Sequence, residues 1–285
     1  MTQVYDITDR TTWNALKDYY DRNGYVIIES GLNADAVKAL SSDLDEWFEE
    51  DSFPSDNCAM KNDNRIQDAW RFDNRIKSFA TDQAILKLLK HLYGGKKVKP
   101  FQTLNFRNGT QQPVHSDSIH FNSEPFGMMC GVWLALEDID SDQGPLVYYP
   151  ESHKYPEMNY KELGLEPKGG DFKEYSEAIK NFTDQEQLVP AYATLKQGQA
   201  LIWSANLLHG GSIRENDKTR LSQVTHYYVA NCKYWRPSQS YSERCYFTPD
   251  WLPLTGESIW LKNITNMAER LTLKVRKKLN RIGRH

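Results

Sequence analysis

Seven short segments rich in β-branched and aromatic residues follow one another in the middle of the chain. They lie at 98–107, 113–120, 128–138, 145–150, 198–203, 207–214 and 221–230. Turn formers punctuate them: Asn108-Gly109, Gln143-Gly144-Pro145 and Gly210-Gly211. Many short strands with such turns predict a sandwich or barrel. Aromatic residues make up 12% of the chain, led by 16 Tyr. Rings of this kind suit pleated surfaces and pocket walls, so a sheet-rich core around a sizeable cavity is expected.

The first 97 residues read mainly as helical support. Trp13, Leu16 and Tyr20 recur at helical spacing, and Gly24 is placed to end that helix. Tyr25-Val26-Ile27-Ile28 reads as a strand. Asn33 is an N-cap for a second helix burying Val37, Leu40, Leu44 and Trp47, and Ile85, Leu88, Leu89 and Leu92 mark a third. Residues 51–75 read as a long loop of the kind that forms lids, and 155–190 as a polar insertion between strands. With no repeat or linker, residues 1–285 form one domain in this reading: support over 1–97, the β core over 98–230, and a tail over 262–285.

Charge and cysteine usage exclude other classes. Eight Lys/Arg and one acid follow residue 261, so this tail carries +7 and the preceding body −10 of the net −3. An acidic body is not a nucleic-acid binder. The tail has a helical stripe through Ile264, Met267, Leu271, Val275 and Leu279. A basic amphipathic helix suits a membrane surface or an acidic partner, but packing on the domain or across a dimer is the favoured reading. No run of 18 apolar residues exists, and the N-terminus lacks the pattern of a secretory signal. Cys58, Cys130, Cys232 and Cys245 are scattered and form no C-x-x-C pair, which points to free thiols and the cytoplasm. Oligomeric state is not legible.

The chemistry concentrates in two places. His115-Ser116-Asp117 lies in a predicted strand, where side chains at i and i+2 share a face, so imidazole and carboxylate converge. Alone, this is no more than a strand-end Asp beside its neighbour's imidazole. His209 precedes Gly210-Gly211, and glycines there let backbone approach a site closely. Two His and one carboxylate with open positions is the facial set of non-haem Fe(II) oxygenases. Arg220 opens the next strand, and its planar, permanently charged fork suits a dicarboxylate co-substrate whose other end chelates the metal. By parity His120 faces away from His115 and is structural. His226 shares parity with Arg220 and reads as a core histidine near the pocket.

These segments occur in the order His115-Ser116-Asp117, Trp133-Leu134-Ala135-Leu136-Glu137, Gly144-Pro145-Leu146, Pro150-Glu151-Ser152-His153-Lys154, His209-Gly210 and Arg220. That order resembles the phytanoyl-CoA dioxygenase family from about Gln102 to Tyr228. The resemblance implies a mainly β fold with flanking helices around a double-stranded β-helix, the jelly-roll or cupin-like core. It further implies an Fe(II)- and 2-oxoglutarate-dependent dioxygenase that uses O2, typically hydroxylating a C–H bond of a small molecule. His115, Asp117 and His209 would be the iron ligands, and Arg220 would hold the distal carboxylate of 2-oxoglutarate. Thr103 and Trp133 fall where the family lines the co-substrate pocket. Two positions depart from its pattern. Glu151 stands where Gly is usual, and Gly211 stands where a hydroxyl is frequent, leaving Ser212 as the substitute. Asp117 disfavours halogenation, since family halogenases lack that carboxylate. Desaturation, epoxidation or cyclisation, and a non-catalytic jelly roll that binds metal or ligand, are the alternatives. A zinc hydrolase would leave Arg220 unexplained. The substrate is not named by the sequence.

Overall fold

The computed structural model describes residues 3–49, 60–61, 65–166, 172–240 and 243–254. The basic tail at 262–285 and most of 51–64 lie outside them. Fourteen strands are described: β1 (Val4–Asp6), β2 (Tyr25–Glu29), β3 (Met60–Lys61), β4 (Arg65–Gln67), β5 (Val98–Phe106), β6 (Asn122–Glu124), β7 (Met129–Ala135), β8 (Leu146–Tyr148), β9 (Ala191–Ala193), β10 (Gln199–Ser204), β11 (His209–Gly211), β12 (Ser222–Val229), β13 (Lys233–Trp235) and β14 (Tyr246–Phe247). Five α-helices accompany them: α1 (Trp13–Asn23), α2 (Ala34–Glu49), α3 (Asn74–Ala80), α4 (Gln83–Leu92) and α5 (Phe172–Gln185).

The helices start and stop where side chains satisfy their open backbone groups. Asn33, Asp73 and Asp82 accept from the first-turn amides of α2, α3 and α4. Gly24 ends α1 in the left-handed region at φ +79°, and its amide donates to the Tyr20 carbonyl. A Cβ at Gly24 would also overlap the His153 ring, so the turn requires glycine twice over.

Eight strands form the main sheet in the order β1-β2-β10-β7-β12-β5-β4-β3. One face buries Val26, Ile28, Val132, Leu134, Ile202, Tyr227 and Val229 in a common cluster with residues of α1 to α4. The opposite face presents Tyr25, Ile27, Leu104, Trp133, Leu201, Trp203 and Val224 to the small sheet β11-β8-β9, whose Tyr148 and Ala193 share that cluster. A third sheet, β14-β13-β6, lies at one end, where Tyr234 packs with Phe101, Met129, Tyr228 and Trp251. Because the central strands β7 and β12 are covered on both faces, every residue in them is buried. This is the expected mainly β jelly roll with flanking helices.

Three expectations change. Residues 113–120 are not a strand: His115 makes an isolated bridge to His209, and Asp117–Ile119 form a single 3-10 turn. The described part of 51–75 is not a plain loop. It contains the β3-β4 hairpin on the sheet edge and a 3-10 turn at Ala69–Arg71, with Ile66, Ala69 and Trp70 buried. Its acids misled because Asp73 is a helix cap. The 155–190 insertion contains α5, which buries Tyr175, Ile179 and Thr183 at fourfold spacing.

Candidate metal centre and its cavity

Two short chain segments bring the centre together. His115 and His209 exchange backbone hydrogen bonds, each amide donating to the other's carbonyl at 2.9 Å. This places the imidazoles side by side, 4.6 Å between ring centres. The approach depends on the glycines that follow His209. A Cβ at Gly210 would lie 2.8 Å from the Gln112 carbonyl oxygen, and one at Gly211 2.7 Å from the Gln111 amide. After His115 the chain turns: the Ser116 hydroxyl accepts from the Ser118 amide and donates to the Ala205 carbonyl. Asp117 therefore joins the histidines through a capped turn and not through strand alternation.

His115, Asp117 and His209 are buried, and one ligand atom from each lies within 4.8 Å of the others. Each histidine Nε2 is 3.7 Å from Asp117 Oδ1. The opposite ring nitrogens, Nδ1, donate to the carbonyls of Pro113 and Leu207 at 2.9 and 3.0 Å. Those bonds fix the tautomer and leave both Nε2 lone pairs facing Asp117. Asp117 Oδ2 accepts from the Trp203 indole at 2.7 Å, so Oδ1 is the oxygen available to a metal. Burial, and then the neighbouring His209, hold His115 well below its ordinary pKa, in the neutral form that coordinates. For Asp117, burial acts upward but the surrounding histidines and the Trp203 bond outweigh it, and it stays ionised. Two imidazoles and one carboxylate fit a divalent first-row ion with positions left open.

These groups line a cavity of about 400 Å³ that also contains Arg220 and Trp133. Arg220 is 3% exposed. Its Nη1 donates to the Gly144 carbonyl at 2.7 Å, its guanidinium lies 5.4 Å from the Trp133 ring centre, and its Nε has no hydrogen-bond partner among the described residues. Burial alone lowers its pKa to about 10, which still leaves it cationic at neutral pH. A buried cation with an unsatisfied N–H beside a metal-ligand set is a receptor for an anion.

Two anticipated pocket residues are elsewhere. Thr103 is buried, but it pairs with Thr225 on the helix-side face, while its neighbours Gln102 and Leu104 take the cavity side. Strand alternation makes the two roles exclusive. Ser212 lies outside the cavity wall, where its hydroxyl donates to the Pro145 carbonyl and ties β11 to the segment before β8. Gly211 lines the wall in its place.

The histidine assignments also change. His120 follows the 3-10 turn and lines the cavity, stacked 5.2 Å from Phe172. The parity argument failed because no strand exists there. His226 lines the cavity too, with Nε2 3.6 Å from Asp117 Oδ2 and Nδ1 2.9 Å from Gln102 Oε1. Its shared parity with Arg220 had placed it near the pocket, and the structure puts it in the cavity wall itself. Trp203 and Gly131 carried no such signal. A Cβ at Gly131 would overlap the Trp203 ring, so the glycine makes room for the indole that holds Asp117. His153 is structural, with Nε2 donating to the Asp21 carbonyl.

Comparison with known proteins agrees with this geometry. The family model described as Phytanoyl-CoA dioxygenase (PhyH) matches residues 20–222. The peroxisomal phytanoyl-CoA dioxygenase of Rattus norvegicus is 21% identical over 237 residues, covering 76% of this chain and 69% of that protein. Two solved structures share the fold. One is the epimerase SnoN in complex with Fe3+, alpha ketoglutarate and nogalamycin RO, with TM-score 0.60, 19% identity, and coverage of 85% and 98% of the two chains. The other is EctD from S. alaskensis with 2-oxoglutarate and 5-hydroxyectoine, with TM-score 0.61, 17% identity, and coverage of 86% and 85%. The match over residues 20–222, with the two-histidine, one-aspartate cluster inside it, means that this chain belongs to the phytanoyl-CoA dioxygenase family.

Proposed function

We propose that this protein is an Fe(II)- and 2-oxoglutarate-dependent dioxygenase that hydroxylates an unactivated C–H bond of a small molecule. The observation that carries the reading is Arg220, a buried cation with an unsatisfied N–H in the same cavity as the His115, Asp117 and His209 set. A jelly roll with a merely structural metal would have no use for it.

His115 and His209 would hold iron through Nε2 and Asp117 through Oδ1, with Trp203 retaining the second carboxylate oxygen. Arg220, braced on the Gly144 carbonyl and over Trp133, would pair with the distal carboxylate of 2-oxoglutarate. When bound, iron, 2-oxoglutarate and oxygen supply the oxidising power for hydroxylation, with release of succinate and carbon dioxide. The remaining task of the chain is to orient the substrate and exclude water. Phe172 of the insertion lies 6.0 Å from the His115 ring, which supports a role for α5 in substrate selection. Other outcomes on this fold are represented by the epimerase SnoN and the carbocyclase SnoK. Cys130, Cys232 and Cys245 are free thiols, which supports a cytoplasmic setting.

The test is anaerobic titration with Fe(II) and 2-oxoglutarate, following the visible absorption of the chelate, then succinate formation on admitting oxygen. Lack of the band in the wild type, or an unchanged band in His209→Ala, overturns the reading.

A further inference from the structure

Among the cavity side chains with no part in the scheme above are Arg65, His120 and Arg236. Arg65 comes from β4 at the edge of the main sheet, Arg236 directly follows β13, and His120 follows the turn that carries Asp117. Both guanidiniums line the same cavity as His120. Unlike deeply buried Arg220, both are partly exposed, so this region is the rim. Asp117 is the sole acid among the described residues lining the cavity, and it is engaged by Trp203 and the histidines.

Arg236 is held for binding. Its guanidinium stacks 4.5 Å from the Phe247 ring centre, which fixes the plane of the fork. Its Nε is buried and has no hydrogen-bond partner among the described residues. Beside it, Ser238 Oγ is 3.3 Å from His120 Nδ1, so a hydroxyl and an imidazole share the same wall. A long alkyl chain placed here would desolvate these groups without replacing their hydrogen bonds. An oxyanion would satisfy the open Arg236 N–H and accept from the Ser238 hydroxyl beside it.

Resting on the oxygenase reading, we propose that Arg236, with His120 and Ser238 beside it, binds an anionic group of the prime substrate. The group is a carboxylate or a phosphate. The rim holds the anion while the rest of the substrate extends toward the metal ligands, so reaction falls on a carbon near the charged group.

The test uses the full chain loaded anaerobically with Fe(II) and 2-oxoglutarate. Small carboxylic acids and phosphate monoesters are titrated in pairs, each acid against its methyl ester and each monoester against its parent alcohol. Binding is read from perturbation of the chelate absorption and from stimulated succinate formation after oxygen is admitted. The expected result is that anionic members bind and their neutral partners do not, and the two arms decide between carboxylate and phosphate. In Arg236→Gln, on samples that still form the chelate band, affinity for the anionic compound falls about tenfold or more, as loss of a charged hydrogen bond implies. Arg236→Lys recovers part of it. A panel in which no anion binds more tightly than its neutral partner overturns the proposal, as does unchanged affinity in Arg236→Gln. Failure of the oxygenase reading itself is distinguishable, because the wild type would then form no chelate band at all.

Discussion

The indole of Trp203 donates to Asp117 Oδ2 at 2.7 Å from the opposite wall of the cavity. It is this bond that assigns Asp117 a single free oxygen toward the two histidines. Trp203→Phe keeps the ring and removes the donor. Metal affinity should fall about 10- to 100-fold, the usual cost of losing a partner of a metal ligand. Anaerobic Fe(II) titration measures it, and unaltered affinity would show that the bond is incidental. Gly131→Ala should weaken metal binding through the same route, since its methyl group would displace the Trp203 ring.

Arg220 is predicted to act on the co-substrate alone. Replacing it with Gln removes the charge-assisted bonds while keeping a polar side chain of similar reach. The KM for 2-oxoglutarate should rise about 10- to 100-fold, equivalent to the 1.5–3 kcal/mol of hydrogen bonds to a charged group. Fe(II) affinity measured without 2-oxoglutarate should not move. A fall in metal affinity of comparable size would mean that Arg220 shapes the centre and does not clamp its ligand.

The strand positions of the core were legible in the sequence because they rest on short-range pattern, and Val98–Phe106, Met129–Ala135 and Ser222–Val229 lie within predicted segments. His115, Asp117 and His209 do come together, but through a capped turn where strand alternation was expected, so it was the family resemblance that named the set. What was not legible depends on tertiary contact. Thr103 and Gln102 differ by one residue, and only the register against β12 decides which enters the cavity. His120 was misplaced because Ser116 converts an apparent strand into a turn by capping it with its own hydroxyl. Trp203 and Gly131 sit on adjacent strands paired directly to each other, a juxtaposition that exists only once β10 and β7 are zipped.

The end sheet carries a pH-dependent contribution to stability. Glu124 of β6 is contacted by Tyr246 of β14, by Lys233 of β13 and by Arg244. The Tyr246 hydrogen bond outweighs the upward effect of burial and, with the two cations, lowers the Glu124 pKa below its ordinary 4.5. A carboxylate depressed in the folded state contributes stability above the unfolded value and loses it as pH falls through the folded one. The stability advantage of the wild type over Glu124→Gln, from urea unfolding, should therefore be full at neutral pH and shrink steadily once pH drops below about 4.5. An advantage independent of pH would assign the effect to packing.

Phe172 tests whether the insertion governs the substrate or merely shields the metal. Its ring stands at the start of α5, 5.2 Å from His120 and 6.0 Å from His115, and packs on Tyr175, whose hydroxyl accepts from the Ser116 amide. Phe172→Ala shortens a partly buried side chain and leaves the hydrogen bonds that orient His115 and His209 untouched, since those come from Pro113 and Leu207. Fe(II) and 2-oxoglutarate binding should be preserved. Coupling should fail, because a substrate less firmly held lets 2-oxoglutarate be consumed without product. The ratio of succinate to hydroxylated product, close to one in a coupled reaction, should rise severalfold. A ratio that stays near one while metal affinity falls would place Phe172 in the support of His115, and substrate selection would then have to come from elsewhere on the cavity wall.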